Sequence, residues 1–369
     1  MNDRLFVATR KGLFTVERSG DSKRWGVSRA AFLGDRVSMV FPDPRDGTVY
    51  AALALDHFGV KLHRSFDGGE TWEEVTAPSY PKQPQSENQQ EGATASEDSV
   101  IQIWCLEAAG VEEVGTLWAG TIPGGLFRSR DKGSSWELIH SLWDRPEREK
   151  WFGGGYDHPG IHSTCVDPRD SRHVTVGVSC GGVWVTFDGG DSWECRAEGM
   201  HAEYMPPEHQ GDCWIQDPHR VVQCPSSPDV LWAQHHNGVF RTTDGAKSWQ
   251  EIATVKPSVF GFAVVVHPKD PDTAWFVPGV KDECRIPVNA QVVVARTRDG
   301  GQTFEVLHQG LPQEHAYDLV YRHGLDVDSS GDQLAMGSTT GSLWISENGG
   351  DSWEHISAYL PPIYCVRFV

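Results

Sequence analysis

The chain has 369 residues, 51 acidic against 32 basic, for a net charge of −19. Apolar residues at 38% and charged residues at 22% suit a soluble globular chain, long enough for two or three domains or one repeat array. The negative charge argues against a nucleic-acid partner, which needs clustered Lys and Arg, and no apolar run reaches the roughly 18 residues of a membrane helix.

The first segment, MNDRLFVATRKGLF, carries Asp3, Arg4, Arg10 and Lys11 where a signal peptide needs apolar residues, so a cytoplasmic location is expected. LFVATRKGLFTVERSG then reads strand, turn, strand, and SGDSKRW up to Trp25 completes a degenerate repeat. From Ser65 a motif recurs: SFDGGETW, SRDKGSSW from Ser129, TFDGGDSW from Thr186, TTDGAKSW from Thr242, TRDGGQTF from Thr297 and SENGGDSW from Ser346. Its third residues, Asp67, Asp131, Asp188, Asp244, Asp299 and Asn348, are 64, 57, 56, 55 and 49 apart. Such a period points to a propeller or solenoid. In each copy the Asp or Asn accepts backbone N–H bonds across a turn, glycines permit positive φ, and the Trp starts the next strand. Upstream stretches such as VTVGVSCGGVWVT and VLWAQHHNGVFRT each read as two strands around a turn.

Between the repeats lie long connections near 76–100, 140–161 and 197–218, with an insertion at 278–290. The stretch 80–98 is rich in Gln, Glu and Ser and is expected to be mobile, and a short helix is expected near Ser141–Lys150. The eight cysteines form no CxxC pair and are expected to be mostly reduced and structural. The C-terminal IYCVRFV is an apolar strand with no repeat after it. It is expected to become the innermost strand of the first repeat, closing a ring without exposed edges. The expected fold is all-β: one seven-bladed β-propeller spanning 1–369.

The recurring residues resemble the Asp box, or bacterial neuraminidase repeat, and the whole chain is similar to bacterial sialidase-like propellers. Related repeats occur in sialidases, xyloglucan hydrolases, sortilin-type receptors and a photosystem assembly factor. The resemblance implies a carbohydrate or related polar metabolite as ligand, with hydrolysis or lytic cleavage. It departs from the sialidase pattern at Arg285-Ile286-Pro287, which falls in the insertion and not on an inner strand.

Counting back from strand landmarks in three blades gives His162, His219 and His323 at equivalent inner-strand positions, with Phe262 between them. Inner strands ring the axis, so these imidazoles, with His235, form a candidate site for Zn, Mn, Fe or Cu. Some seven-bladed enzymes, such as carotenoid oxygenases and oligogalacturonate lyases, hold a metal in this way. Asp157 and His158 are candidates for proton transfer, with Glu283, Arg285 and Tyr317 as further catalytic candidates. His57, His236, His315, Trp151 and Trp214 are candidate substrate contacts, with anchoring of their loops an equal alternative for Trp151 and Trp214. The alternative is polar channel lining with no metal. Three functions therefore stand open: a glycan- or metabolite-cleaving enzyme, a non-catalytic binding or assembly propeller with a protein partner, and a His-ligated iron or copper redox enzyme.

Overall fold

The computed structural model describes residues 2–20, 24–81, 99–154 and 156–369. Seven four-stranded antiparallel sheets follow one another around a ring, as expected. Six are built from consecutive strands; in the first, the C-terminal strand Ile363–Phe368 pairs with Arg4–Thr9, matching Leu5 with Phe368 and Val7 with Val366. That pairing brings the two ends of the chain into one sheet and leaves no blade incomplete. The expected short helix is His140–Trp143, followed by a single 3-10 turn at Pro146–Lys150. Of the stretch read as mobile, residues 82–98 lie outside the described residues. Tyr80 is buried, stacked on Trp143 with ring centres 4.6 Å apart.

The recurring turn is built from its own side chains. In blade 4 (Gly160–Cys195, the blades being numbered in chain order from the one closed by the C-terminal strand), Thr186 Oγ1 donates to Asp188 Oδ1 at 2.7 Å, and Asp188 Oδ1 accepts the Ser192 N–H at 2.9 Å. Ser192 Oγ donates to Asp188 Oδ2, and the Gly190 N–H donates back to Thr186 Oγ1. Gly189 and Gly190 take φ of 74° and 96°, a region that disfavours any side chain. The turn aims Trp193 back at the preceding blade, where it is buried with Trp118 and Ile139. In the same way Trp249 Nε1 donates to the Arg196 carbonyl of the blade before it. The core therefore lies between blades, which join through these turns as well as through their sheet faces.

One disulfide, Cys195–Cys213, joins the last strand of blade 4 to the end of the long connection after it; the other six cysteines are free. The expectation of mostly reduced cysteines holds for those six and not for this pair.

Two tests follow from the turns. Trp193→Ala is expected to cost about 3–5 kcal/mol in urea unfolding, because it empties an inter-blade cavity. Asp188 and Asp299 are held at about 2, chiefly by the hydroxyls of Ser192 and Thr303. A carboxylate depressed by folding stabilises above its unfolded range and loses that contribution as pH falls through its folded value. Stability is thus expected to drop between about pH 4 and pH 2, with a shallower drop in Asp188→Asn.

Candidate functional site

Each inner strand of blades 2 to 6 is interrupted by a bulge at the same place, and Ser38, Trp104, His162, His219 and Phe262 occupy it. A bulge re-aims a side chain out of the regular alternation. Here it turns three of these residues toward the next blade. Ser38 Oγ donates to the Ile103 carbonyl at 3.1 Å, His162 Nε2 to the Pro218 carbonyl at 2.6 Å, and His219 Nδ1 to the Gly261 carbonyl at 2.6 Å. A carbonyl only accepts, so each bonded ring nitrogen carries its proton.

The four-histidine metal set does not form. His162 uses both ring nitrogens, the second toward Ser163 Oγ at 2.9 Å. His323 Nδ1 faces two guanidinium groups, Arg220 at 2.9 Å and Arg367 at 3.0 Å, and burial, added to by these cations, holds its basicity well below the ordinary range. His235 has both ring nitrogens against backbone N–H groups, Nε2 at Asp217 and Nδ1 at Asn237, of which a neutral ring accepts one. Only His219 of the four keeps a nitrogen toward other candidate ligands. The landmark count found the ring positions; it carried no information about the cations and backbone groups facing them.

A different cluster forms instead. Asp217, His219 and His236 present three ligand atoms within 4.8 Å of one another. Asp217 Oδ2 lies 3.4 Å from His219 Nε2 and 3.6 Å from His236 Nδ1. Its other oxygen accepts the Cys180 N–H at 3.0 Å and Ser179 Oγ at 3.2 Å. Backbone locks the group as well: the His236 N–H donates to the Asp217 carbonyl. Burial would raise the Asp217 carboxyl, but His219, His236 and Arg322 hold it well below the carboxylate range. Burial pulls His219 down, while contact with Asp217 raises His236.

The cluster lies at the floor of a cavity of about 560 Å³. Phe152, Tyr204, Phe260 and Phe262 supply its aromatic walls, and Asp282, Glu283 and Arg285 reach it from the blade 6 insertion. Arg322 also lines it, a buried guanidinium 4.5 Å from the Trp104 ring centre and 5.5 Å from that of Phe262. Tyr204 is held by its hydroxyl on the Ile215 carbonyl at 2.7 Å, within the disulfide-tied connection.

Among the expected site residues, the cavity gathers His219, His236, Glu283 and Arg285. Arg285 is paired with Asp282, Nη2 to Oδ1 at 2.5 Å. Asp157, His158, His315 and Tyr317 are not among the residues lining it; Asp157, His315 and Tyr317 are exposed. His57 lines a separate depression with Arg10 and Arg36. Trp151 is buried against Trp184 at 5.8 Å, and Trp214 stacks under Lys150 at 4.1 Å, so both anchor connections. Asp217, two residues before His219 in the sequence, was not among the expected site residues. Sequence reading also missed Arg322, whose guanidinium lies over aromatic rings from two other blades.

No family model matches the chain. It is 24% identical over 271 residues to an oligoxyloglucan-reducing end-specific xyloglucanase of Emericella nidulans, covering 66% of this chain and 31% of that protein. A probable enzyme of the same kind from Neosartorya fischeri is also 24% identical, over 273 residues. The chain thus spans about a third of the length of these curated relatives. Among solved structures, the GH74 xyloglucanase from Xanthomonas campestris superposes with a TM-score of 0.63 at 18% identity, covering 100% of this chain and 52% of that one. YCF48 bound to D1 peptide gives 0.54 at 14% identity, covering 95% and 88%. At these identities the structural likeness establishes the propeller fold.

The inter-blade bond of His162 is testable by stability alone. His162→Ala strands the buried Pro218 carbonyl and is expected to cost about 1–3 kcal/mol in urea unfolding. The exposed His315→Ala is expected to stay within about 0.5 kcal/mol of wild type.

Proposed function

We propose that the chain is a carbohydrate-acting hydrolase whose reacting centre is the Asp217–His219–His236 cluster. The observation that carries this reading is a buried carboxylate, set between two imidazoles, on a cavity with aromatic walls. Flat aromatic faces suit the apolar faces of sugar rings, while a few placed polar groups fix their orientation. Hydrolysis of a glycosidic bond passes through a transition state with positive charge on the ring, which a fixed carboxylate stabilises. It also needs a second carboxyl group across the reacting bond. Asp282 and Glu283 stand on the same cavity as candidates for that second group, and His236, raised by its contact with Asp217, is the proton donor to the leaving oxygen. The similarity to xyloglucanases supports a glycan as the ligand class.

The test is a panel of oligosaccharides that includes xyloglucan fragments, with products separated by chromatography. Wild type is expected to cleave one class. Asp217→Asn is expected to slow turnover by about 10²–10⁴-fold with the fold intact, since the amide keeps the Ser179 and Cys180 contacts and loses the charge. Binding without cleavage across the panel would overturn hydrolysis in favour of a binding propeller.

A further inference from the structure

We propose that Asp217, His219 and His236 hold a first-row divalent transition-metal ion at the floor of the cavity. The inference rests on the assignment of this cluster as the reacting centre; with the ion bound, Asp217 serves as a ligand and not as the charge that faces the sugar ring. Its support is geometric. The two imidazole nitrogens stand 3.4 and 3.6 Å from the same carboxylate oxygen. Both distances exceed the roughly 2.7–2.9 Å of a charge-assisted N–H···O bond. These two distances match carboxylate–imidazole pairs that share a cation, and the two imidazole nitrogens lie within 4.8 Å of each other. An ion about 2.1 Å from each donor spaces them about 3.0 Å apart at right angles and about 3.4 Å at the tetrahedral angle.

The surroundings of the ligands fit as well. A ligating histidine ordinarily donates its other ring N–H to a fixed acceptor, which sets the tautomer and the ring orientation. His219 does so: Nδ1 donates to the Gly261 carbonyl, leaving the Nε2 lone pair toward Asp217. The second oxygen of Asp217 is held by Ser179 and Cys180, so the carboxylate cannot swing away without breaking two bonds. Two imidazoles and one carboxylate form a donor set for zinc, iron(II) or manganese; calcium and magnesium take all-oxygen sites. Three protein ligands leave coordination positions open, and the open side here is the cavity. Once bound, such an ion supplies Lewis-acid polarisation and a more acidic water. The chain's own part is to hold the three donors rigid and to seat a sugar against the aromatic walls.

The test uses the full chain made without a histidine tag, stripped with a chelator and titrated with zinc and, separately, with cobalt(II), whose visible absorption reports imidazole coordination. One saturable equivalent is expected. His236→Ala is expected to weaken it by about 100-fold or more, and His219→Ala likewise. His236 is partly exposed, so its variant remains informative if the buried His219→Ala fails to fold. His57→Ala, on a separate depression, is expected to bind as wild type does. Absence of a saturable site in wild type, or a site indifferent to His236→Ala, would overturn the proposal. Glycan cleavage by the stripped, metal-refractory protein would remove the ion and leave the hydrolase reading standing, with Asp217 and His236 as a proton-transfer pair. A metal site without any cleavage would do the reverse.

Discussion

The bond on which the site depends runs from His219 to the Gly261 carbonyl of the next blade. A propeller has no hydrogen-bonded ladder between its blades, so each inner strand must be tied to its neighbour by side chains and packing. Three inner strands do this with a residue lifted out of register by a bulge. In blades 2 and 4 that residue, Ser38 or His162, is used up by structural contacts. In blade 5 the same residue has a second nitrogen free, and Asp217, two positions before it, stands against that nitrogen. Structure and chemistry here share one side chain: the bond that joins two blades also fixes which nitrogen of His219 faces the cavity.

The long connection between blades 4 and 5 completes the arrangement. It starts just after Cys195, folds over Tyr204, and is closed by Cys213 before delivering Asp217 to the inner strand. Gln216 holds its last turn through the Gln210 and Asp212 carbonyls, and the Gly182 N–H donates to the Gln216 carbonyl. The carboxylate is thus carried by the end of a tethered loop and by the start of a rigid strand. Loops on a rigid scaffold are where sites usually lie; tethering this one gives it the scaffold's precision.

The fold was legible because its signal is local and repeated. Each recurring turn carries its own hydroxyl, its Asp or Asn and at least one glycine within eight residues, and an unpaired terminal strand implies the closing one. The ring of inner-strand positions was legible too, since His162, His219 and Phe262 keep a fixed distance from landmarks in their own blades. What those residues face was not legible. The guanidinium groups at His323 come from Arg220 and Arg367, in blade 5 and in the closing strand. Trp151 and Trp214 read as ligand contacts because they sit in loops, and the packing of Trp184 and Lys150 over them has no local signature. Asp217 and His236 lie 19 residues apart, just beyond the adjoining ends of two paired strands of one blade, next to the Pro218–His235 pair; strand pairing would have joined them, had the bulge been foreseen.

The central claim is that ligand chemistry happens over Asp217, between blades 4 and 6. The most direct measurement is a crystal structure of Asp217→Asn with a bound oligosaccharide from the cleaved class. The account expects sugar rings against Tyr204 and Phe260, with the reacting bond above residue 217. A sugar seated instead in the depression at His57, or on the face of the acidic turns, would contradict it.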